Sequence, residues 1–186
     1  MPGRSAAKRD QTMSFILRIG AFALVASFIT APVFAHEGMD HDGCPAGQAV
    51  TAGDISVSGA FARATLPSAP VGAGYLTIVN AGSEADRLVS VASQVAPTVE
   101  LHSMSTSADG MMKMEHLPDG IEVPAGETVS LAPGGLHIMF IGPNQPFSEG
   151  ECVEVVLNFE LAGALPVQLN VAPVGAREAP AGHQGH

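Results

Sequence analysis

From Ile55 to about Val174 the chain is never given room for a long regular element. Short runs rich in Val, Ile, Leu, Thr and Phe are interrupted at close intervals by Gly, Pro, Asn and Ser. The breaks Leu66-Pro67-Ser68-Ala69-Pro70, Asn80-Ala81-Gly82-Ser83, Pro118-Asp119-Gly120, Pro124-Ala125-Gly126 and Pro133-Gly134-Gly135 carry residues that preset or tolerate turn dihedrals. No stretch between them is long enough, or has the spacing, for an amphipathic helix. Short β-rich runs with regular turn signals predict an all-β sandwich or barrel. The predicted strands are 55–64, 74–80, 87–93, 98–104, 110–116, 121–123, 128–132, 137–141, 152–159 and 165–171.

The two ends read differently. Arg4, Lys8, Arg9 and Arg18 precede an apolar run from Ile19 to Ile29, and Val33-Phe34-Ala35 follows. A basic start, a short apolar run and small residues make an export signal, predicted over residues 1–35 with cleavage after Ala35. The apolar run is too short for a spanning helix, which needs about 20 residues. No membrane insertion is expected after cleavage, and an oxidising, periplasmic location follows. Residues 36–53 read as a flexible arm, residues 54–174 as one domain and residues 175–186 as a flexible His-containing tail.

Beyond Ala35 the chain keeps 4 basic and 17 acidic residues, so its net charge is 4 − 17 = −13 with His neutral. Nucleic acid and anionic membrane both require basic patches, and are excluded as partners by this balance. Cys44 and Cys152 are the two cysteines. In an exported chain they either pair, tying the arm to a late strand, or stay reduced, with Cys44 a soft-metal ligand near His36 and His41. The choice depends on their Cα separation.

Three features carry chemistry: His102 with Met104, the run Met111-Met112-Lys113-Met114, and His137-Ile138-Met139 after the Pro-Gly-Gly turn. Residues two apart on a strand share a face. His102 and Met104, Met112 and Met114, and His137 and Met139 therefore form three same-face pairs. Thioether sulfur is a soft, uncharged donor that favours Cu(I) and binds hard cations poorly, and imidazole suits copper as well. Methionine also resists the oxidation that would consume a free thiolate. No G-x-S-x-G, H-E-x-x-H, GxGxxG, P-loop or C-x-x-C pattern is present, so no enzyme is expected.

These residues resemble the periplasmic copper A chaperone (PCuAC) family, small exported proteins that supply copper to cytochrome c oxidase. The likeness rests on Val99-Glu100-Leu101-His102, Gly110-Met111-Met112-Lys113-Met114 and Pro133-Gly134-Gly135-Leu136-His137-Ile138-Met139. The flanking segments Ala62-Arg63-Ala64-Thr65-Leu66-Pro67, Gly74-Tyr75-Leu76 and Ile121-Glu122-Val123-Pro124-Ala125-Gly126 also match. The resemblance implies a cupredoxin-like Greek-key β-sandwich and a Cu(I) site on His102, Met114, His137 and Met139, with Met104 and Met112 auxiliary. The spacing from His102 to Met114 is one residue longer than is usual in the family, which leaves Met112 and Met114 as alternatives. Relatives more often carry Leu-Lys after Gly142, where this chain has Pro143-Asn144.

The implied function is a metallochaperone that passes Cu(I) by ligand exchange to the CuA site of cytochrome c oxidase subunit II, with Sco-type thiol proteins as further partners. A copper storage or resistance protein without a dedicated acceptor is the alternative. His36, Met39 and His41 in the arm, with His183 and His186 in the tail, suggest a second site able to take Cu(II).

Overall fold

The computed structural model describes Cys44 and residues 48–180. The expected signal segment, the arm residues His36, Met39 and His41, and the tail residues His183 and His186 lie outside them. Eleven strands run in chain order: β1 (Val50–Ala52), β2 (Ile55–Arg63), β3 (Val71–Asn80), β4 (Asp86–Ala92), β5 (Thr98–Thr106), β6 (Met112–His116), β7 (Ile121–Val123), β8 (Thr128–Leu131), β9 (Leu136–Ile141), β10 (Cys152–Phe159) and β11 (Ala164–Ala172). There is no helix among the described residues.

All ten predicted strands form. β1 was not foreseen: three residues are too few to show a period, and they become a strand by pairing with Ile55–Val57. β3 starts three residues before its prediction, because Gly72 and its neighbours pair with β9 across the Gly-rich segment.

The strands make one sheet in the order β6-β5-β9-β8-β3-β2-β11-β10-β4-β7, with β1 beside β2. β3 forks this sheet. Its first half, Val71–Gly74, pairs with β9, and its second half, Leu76–Val79, pairs with β8. The fork lets the sheet curl over a single core. Alternation supplies that core: Val153, Val155, Leu157 and Phe159 from β10 meet Leu165, Val167, Leu169 and Val171 from β11. Ile138 and Phe140 of β9 and Leu101 of β5 close it from the other arm of the sheet.

Because Ile138, Phe140 and Leu101 point inward, period two turns His137, Met139, His102 and Met104 to the opposite face. A second device prepares that face. The β2–β3 register shifts between Ser58 and Phe61, where Gly59 takes φ +59°, and the bulge re-aims the strand. Phe61 then leaves the main core and packs with Tyr75 and Ala172 in a small separate cluster.

Cys44 and Cys152 are joined by a disulfide, with Cα atoms 5.3 Å apart. The bond fastens the segment before β1 to the start of β10.

Candidate metal centre

The outer face of β6, β5 and β9 is built from three antiparallel rungs. In the central rung His116 stands opposite His102, and His102 opposite His137. The ring centroids are 5.4 Å apart for His116 and His102 and 5.8 Å for His102 and His137. The row continues through Tyr75, 6.5 Å from His137, to Phe61, 5.0 Å from Tyr75. Five rings thus cross the sheet, buried at the Phe61 end and open at His116.

On one side of that rung Met104 faces Met114. On the other side Met139 lies opposite both Glu100 and Ala73. Met112 pairs with Thr106, a further rung from the histidines. All the sequence-predicted donors in the domain therefore share one face. His102 and His137 are central and adjacent, Met104 and Met114 flank them at β5–β6, and Met139 flanks them at β9. Met114 stands nearer the histidines than Met112 does. In the hairpin between His102 and Met114, Ser107 N–H donates to Met111 O and Gly110 adopts φ +82°.

The two central histidines are buried and oriented by hydrogen bonds. His102 is 9% exposed and His137 5%. Glu100 Oε2 lies 2.8 Å from His102 Nε2, and that hydrogen bond holds the Glu100 carboxyl below its ordinary range. An ionised carboxylate only accepts, so Nε2 carries the proton and the lone pair of the neutral ring is on Nδ1. That Nδ1 is buried and has no partner. Buried polar atoms are almost always satisfied, so an orphaned lone pair beside a carboxylate-oriented ring fits a metal ligand.

His137 mirrors the arrangement with the other nitrogen. Its Nδ1 donates to Gly135 O at 3.1 Å, leaving the lone pair on Nε2. Burial pushes the His137 pKa down and a positive charge on His102 would add to this, while the Gly135 carbonyl offsets part of it. The ring is accordingly neutral at physiological pH and available as a donor.

The methionines are wetter. Met114 is 47% exposed on the edge strand β6, and Met111 and Met112 are more exposed still. Among the described residues no three His, Cys, Asp or Glu side chains stand close enough to hold an ion by themselves. The further donor type this face offers beside the histidines is thioether sulfur, which favours a soft ion.

Sequence reasoning did not single out Glu100, His116, Tyr75 or Phe61 as parts of this face. Two signals were legible. Glu100 and His116 are each two residues from a named donor, so period two puts them on the same face. The Phe61 and Tyr75 placements were not legible, because they depend on the bulge at Gly59.

Residues 55–171 match the family described as "Putative lipoprotein LpqE-like". A curated relative, "Putative lipoprotein Lxx21020" of Leifsonia xyli subsp. xyli (strain CTCB07), is 32% identical over 117 residues, which cover 63% of this chain and 69% of the relative. Among solved structures, the "Copper-bound PCuAC domain from PmoF2" aligns with TM-score 0.58 and 25% identity over 68% of this chain and 98% of that domain. The solution structure of "CuI-DR1885" from Deinococcus radiodurans aligns with TM-score 0.52 and 29% identity over 70% of this chain and 83% of that one.

Proposed function

The chain belongs to the LpqE-like family and has the PCuAC-type cupredoxin-like fold, and on that premise we propose that it is an exported carrier of Cu(I) rather than an enzyme. His102, His137, Met114 and Met139 hold the ion on the outer face of β5, β6 and β9, with Met104 and Met112 as auxiliary sulfur donors. The observation that carries this reading is the orphaned, buried Nδ1 of His102, oriented by Glu100 through the other ring nitrogen. Neutral imidazole and thioether ligands leave the charge of a monovalent ion uncompensated, so the ion can be exchanged. The exposure of Met114 gives an incoming ligand somewhere to attack.

Export is supported by the basic and apolar N-terminal sequence and by the Cys44–Cys152 bond, since disulfides persist in oxidising compartments. No helix among the described residues is long and apolar enough to cross a membrane. The acceptor we propose is the CuA site of cytochrome c oxidase subunit II, with Sco-type proteins as further partners.

X-ray absorption on the Cu(I)-loaded protein tests the site: it should report both nitrogen and sulfur ligands. His102→Ala should remove nitrogen and Met139→Leu sulfur. A Cu(I) form coordinated without sulfur, or a His102→Ala variant with an unchanged spectrum, would sink the assignment. Transfer is a separate question. Mixing Cu(I)-loaded protein with an apo CuA domain should move the metal, whereas a storage protein would retain it.

A further inference from the structure

Only four basic residues lie beyond Ala35, and they divide into two kinds. Arg87 sits 3.5 Å from Glu122 and 4.0 Å from Glu160, and Lys113 sits 2.8 Å from Glu115. Arg63 and Arg177 have no carboxylate within ion-pair range among the described residues, and both line one cavity of about 330 Å³ with Ala132, Pro133 and Gly134. The two cations left over on a strongly acidic chain thus open into one space.

Arg63 is anchored there. Its Nε donates to Ala176 O at 2.7 Å, and its guanidinium carbon lies 5.3 Å from the centroid of the Tyr75 ring. Those contacts fix the plane of the guanidinium and leave its two Nη groups without an acceptor among the described residues. A guanidinium fixed in this way loses little freedom on gaining a partner, and its fork matches the two oxygens of a carboxylate. The volume is several times that of a water molecule, about 30 Å³, and admits the end of a side chain.

The cavity wall is also the turn that sets His137. Gly135 N–H donates to Ala132 O, while Gly135 O accepts from His137 Nδ1 and from the Met104 amide. We propose that Arg63 and Arg177 form a carboxylate-binding cleft that seats an acidic side chain of the protein receiving the metal, beside the turn that holds His137. This rests on the carrier reading above. An acidic partner is repelled by the rest of this surface, so one attractive cleft beside the metal face fixes the register of the encounter. Electrostatic complementarity of this kind acts mainly on orientation and association rate.

The test is an NMR titration of the full exported chain, following the Gly134 and Gly135 amides, with three probes at matched ionic strength: sodium acetate, the blocked tripeptide Gly-Glu-Gly, and its Gly-Gln-Gly counterpart. Saturable shifts are expected with acetate and with Gly-Glu-Gly, tighter for the peptide, and absent with Gly-Gln-Gly. Arg177→Gln, whose side chain is exposed, should weaken Gly-Glu-Gly binding about ten-fold, as for loss of a charged partner. Arg63→Gln should do the same, with thermal unfolding run alongside to separate loss of the Ala176 tether. The proposal is overturned by shifts equal to those of sodium chloride, by shifts indifferent to Arg177→Gln, or by acetate binding as tightly as the peptide. Because no probe carries copper, a failure here is distinct from a protein that fails to load Cu(I).

Discussion

Replacing Asp86 by Ala tests how β4 is fixed to the neighbouring β10–β11 hairpin, on strands that do not pair with β5, β6 or β9. The carboxylate is 7% exposed and accepts three backbone hydrogen bonds: Arg87 N–H at 2.7 Å, Leu161 N–H at 2.9 Å and Ala162 N–H at 2.9 Å. It thus ties the start of β4 to the turn joining β10 and β11. Hydrogen bonds to a charged group contribute about 1.5–3 kcal/mol each, but the 160–163 turn is partly open and water can replace some of what is lost. We therefore expect Asp86→Ala to cost about 3 kcal/mol in chemical denaturation, which for a domain of this size lowers Tm by roughly 6–12 °C. Asn keeps one acceptor oxygen and should lose about half as much. The cost should also depend on pH. Burial raises the Asp86 pKa, but the N–H groups of Leu161, Arg87 and Ala162 outweigh it and hold the carboxyl below its ordinary 3.8. A depressed folded-state value means the stabilisation is complete above the unfolded pKa and is lost as pH falls through the folded one. The gap between wild type and Asp86→Ala should be constant from pH 5 to 8, where the carboxylate is ionised in both states, and shrink below about pH 4. A loss under about 0.5 kcal/mol, the size of an ordinary surface change, would refute the clamp. An equal gap at pH 3 and pH 7 would refute its ionised form.

Two further outcomes bear on the site and its frame. Glu100→Gln should weaken Cu(I) binding about ten-fold in competition with a chromophoric Cu(I) chelator, and Glu100→Ala more, since groups that orient a metal ligand contribute about 10–100-fold; affinity unchanged within about two-fold would mean that Glu100 does not orient His102 toward a metal. Cys152→Ser opens a loop of sequence separation 108, and chemical denaturation should register a loss of about 2–4 kcal/mol, while Cu(I) stoichiometry stays the same, because β10 is not adjacent to β5, β6 or β9 in the sheet.

What the sequence made legible follows from which interactions are local. Turn chemistry is local, so Pro118-Asp119-Gly120 and Pro133-Gly134-Gly135 marked real breaks between strands, the second a jog between the parallel β8 and β9, and the strands on either side emerged close to their predicted bounds. Period two is local too, so His102 and Met104, and His137 and Met139, could be assigned to shared faces before their strands were ordered. The pairing of strands is not local. Nothing near His116 states that it will stand opposite His102, and that neighbourhood exists only because β5 and β6 form a hairpin with this register. The same limit hid β1, and it hid the Phe61–Tyr75 pair, which depends on a one-residue irregularity in β2. Cysteine pairing belongs with these: the two positions are 108 residues apart, and only the folded sheet brings their Cα atoms to 5.3 Å.

The exposure gradient across the ring row bears on how a carrier can both hold and release. His102 and His137 are buried, oriented through their second nitrogens and backed by Tyr75, so moving either ring disturbs Glu100, the Gly135 turn or the small Phe61 cluster. Met114 sits on β6, every residue of which is exposed, and β6 is the edge of the sheet with a partner on one side only. A thioether there has few packing contacts to lose and three rotatable bonds to swing on. On the proposed reading the ion is therefore held by the rigid pair and opened from the flexible side. An acceptor ligand approaching over β6 would replace Met114 before either histidine has to move, so the ion need never be left bare in water. Burying the methionines as deeply as the histidines would close that route. Exposing the histidines like the methionines would remove the orientation that makes the site selective.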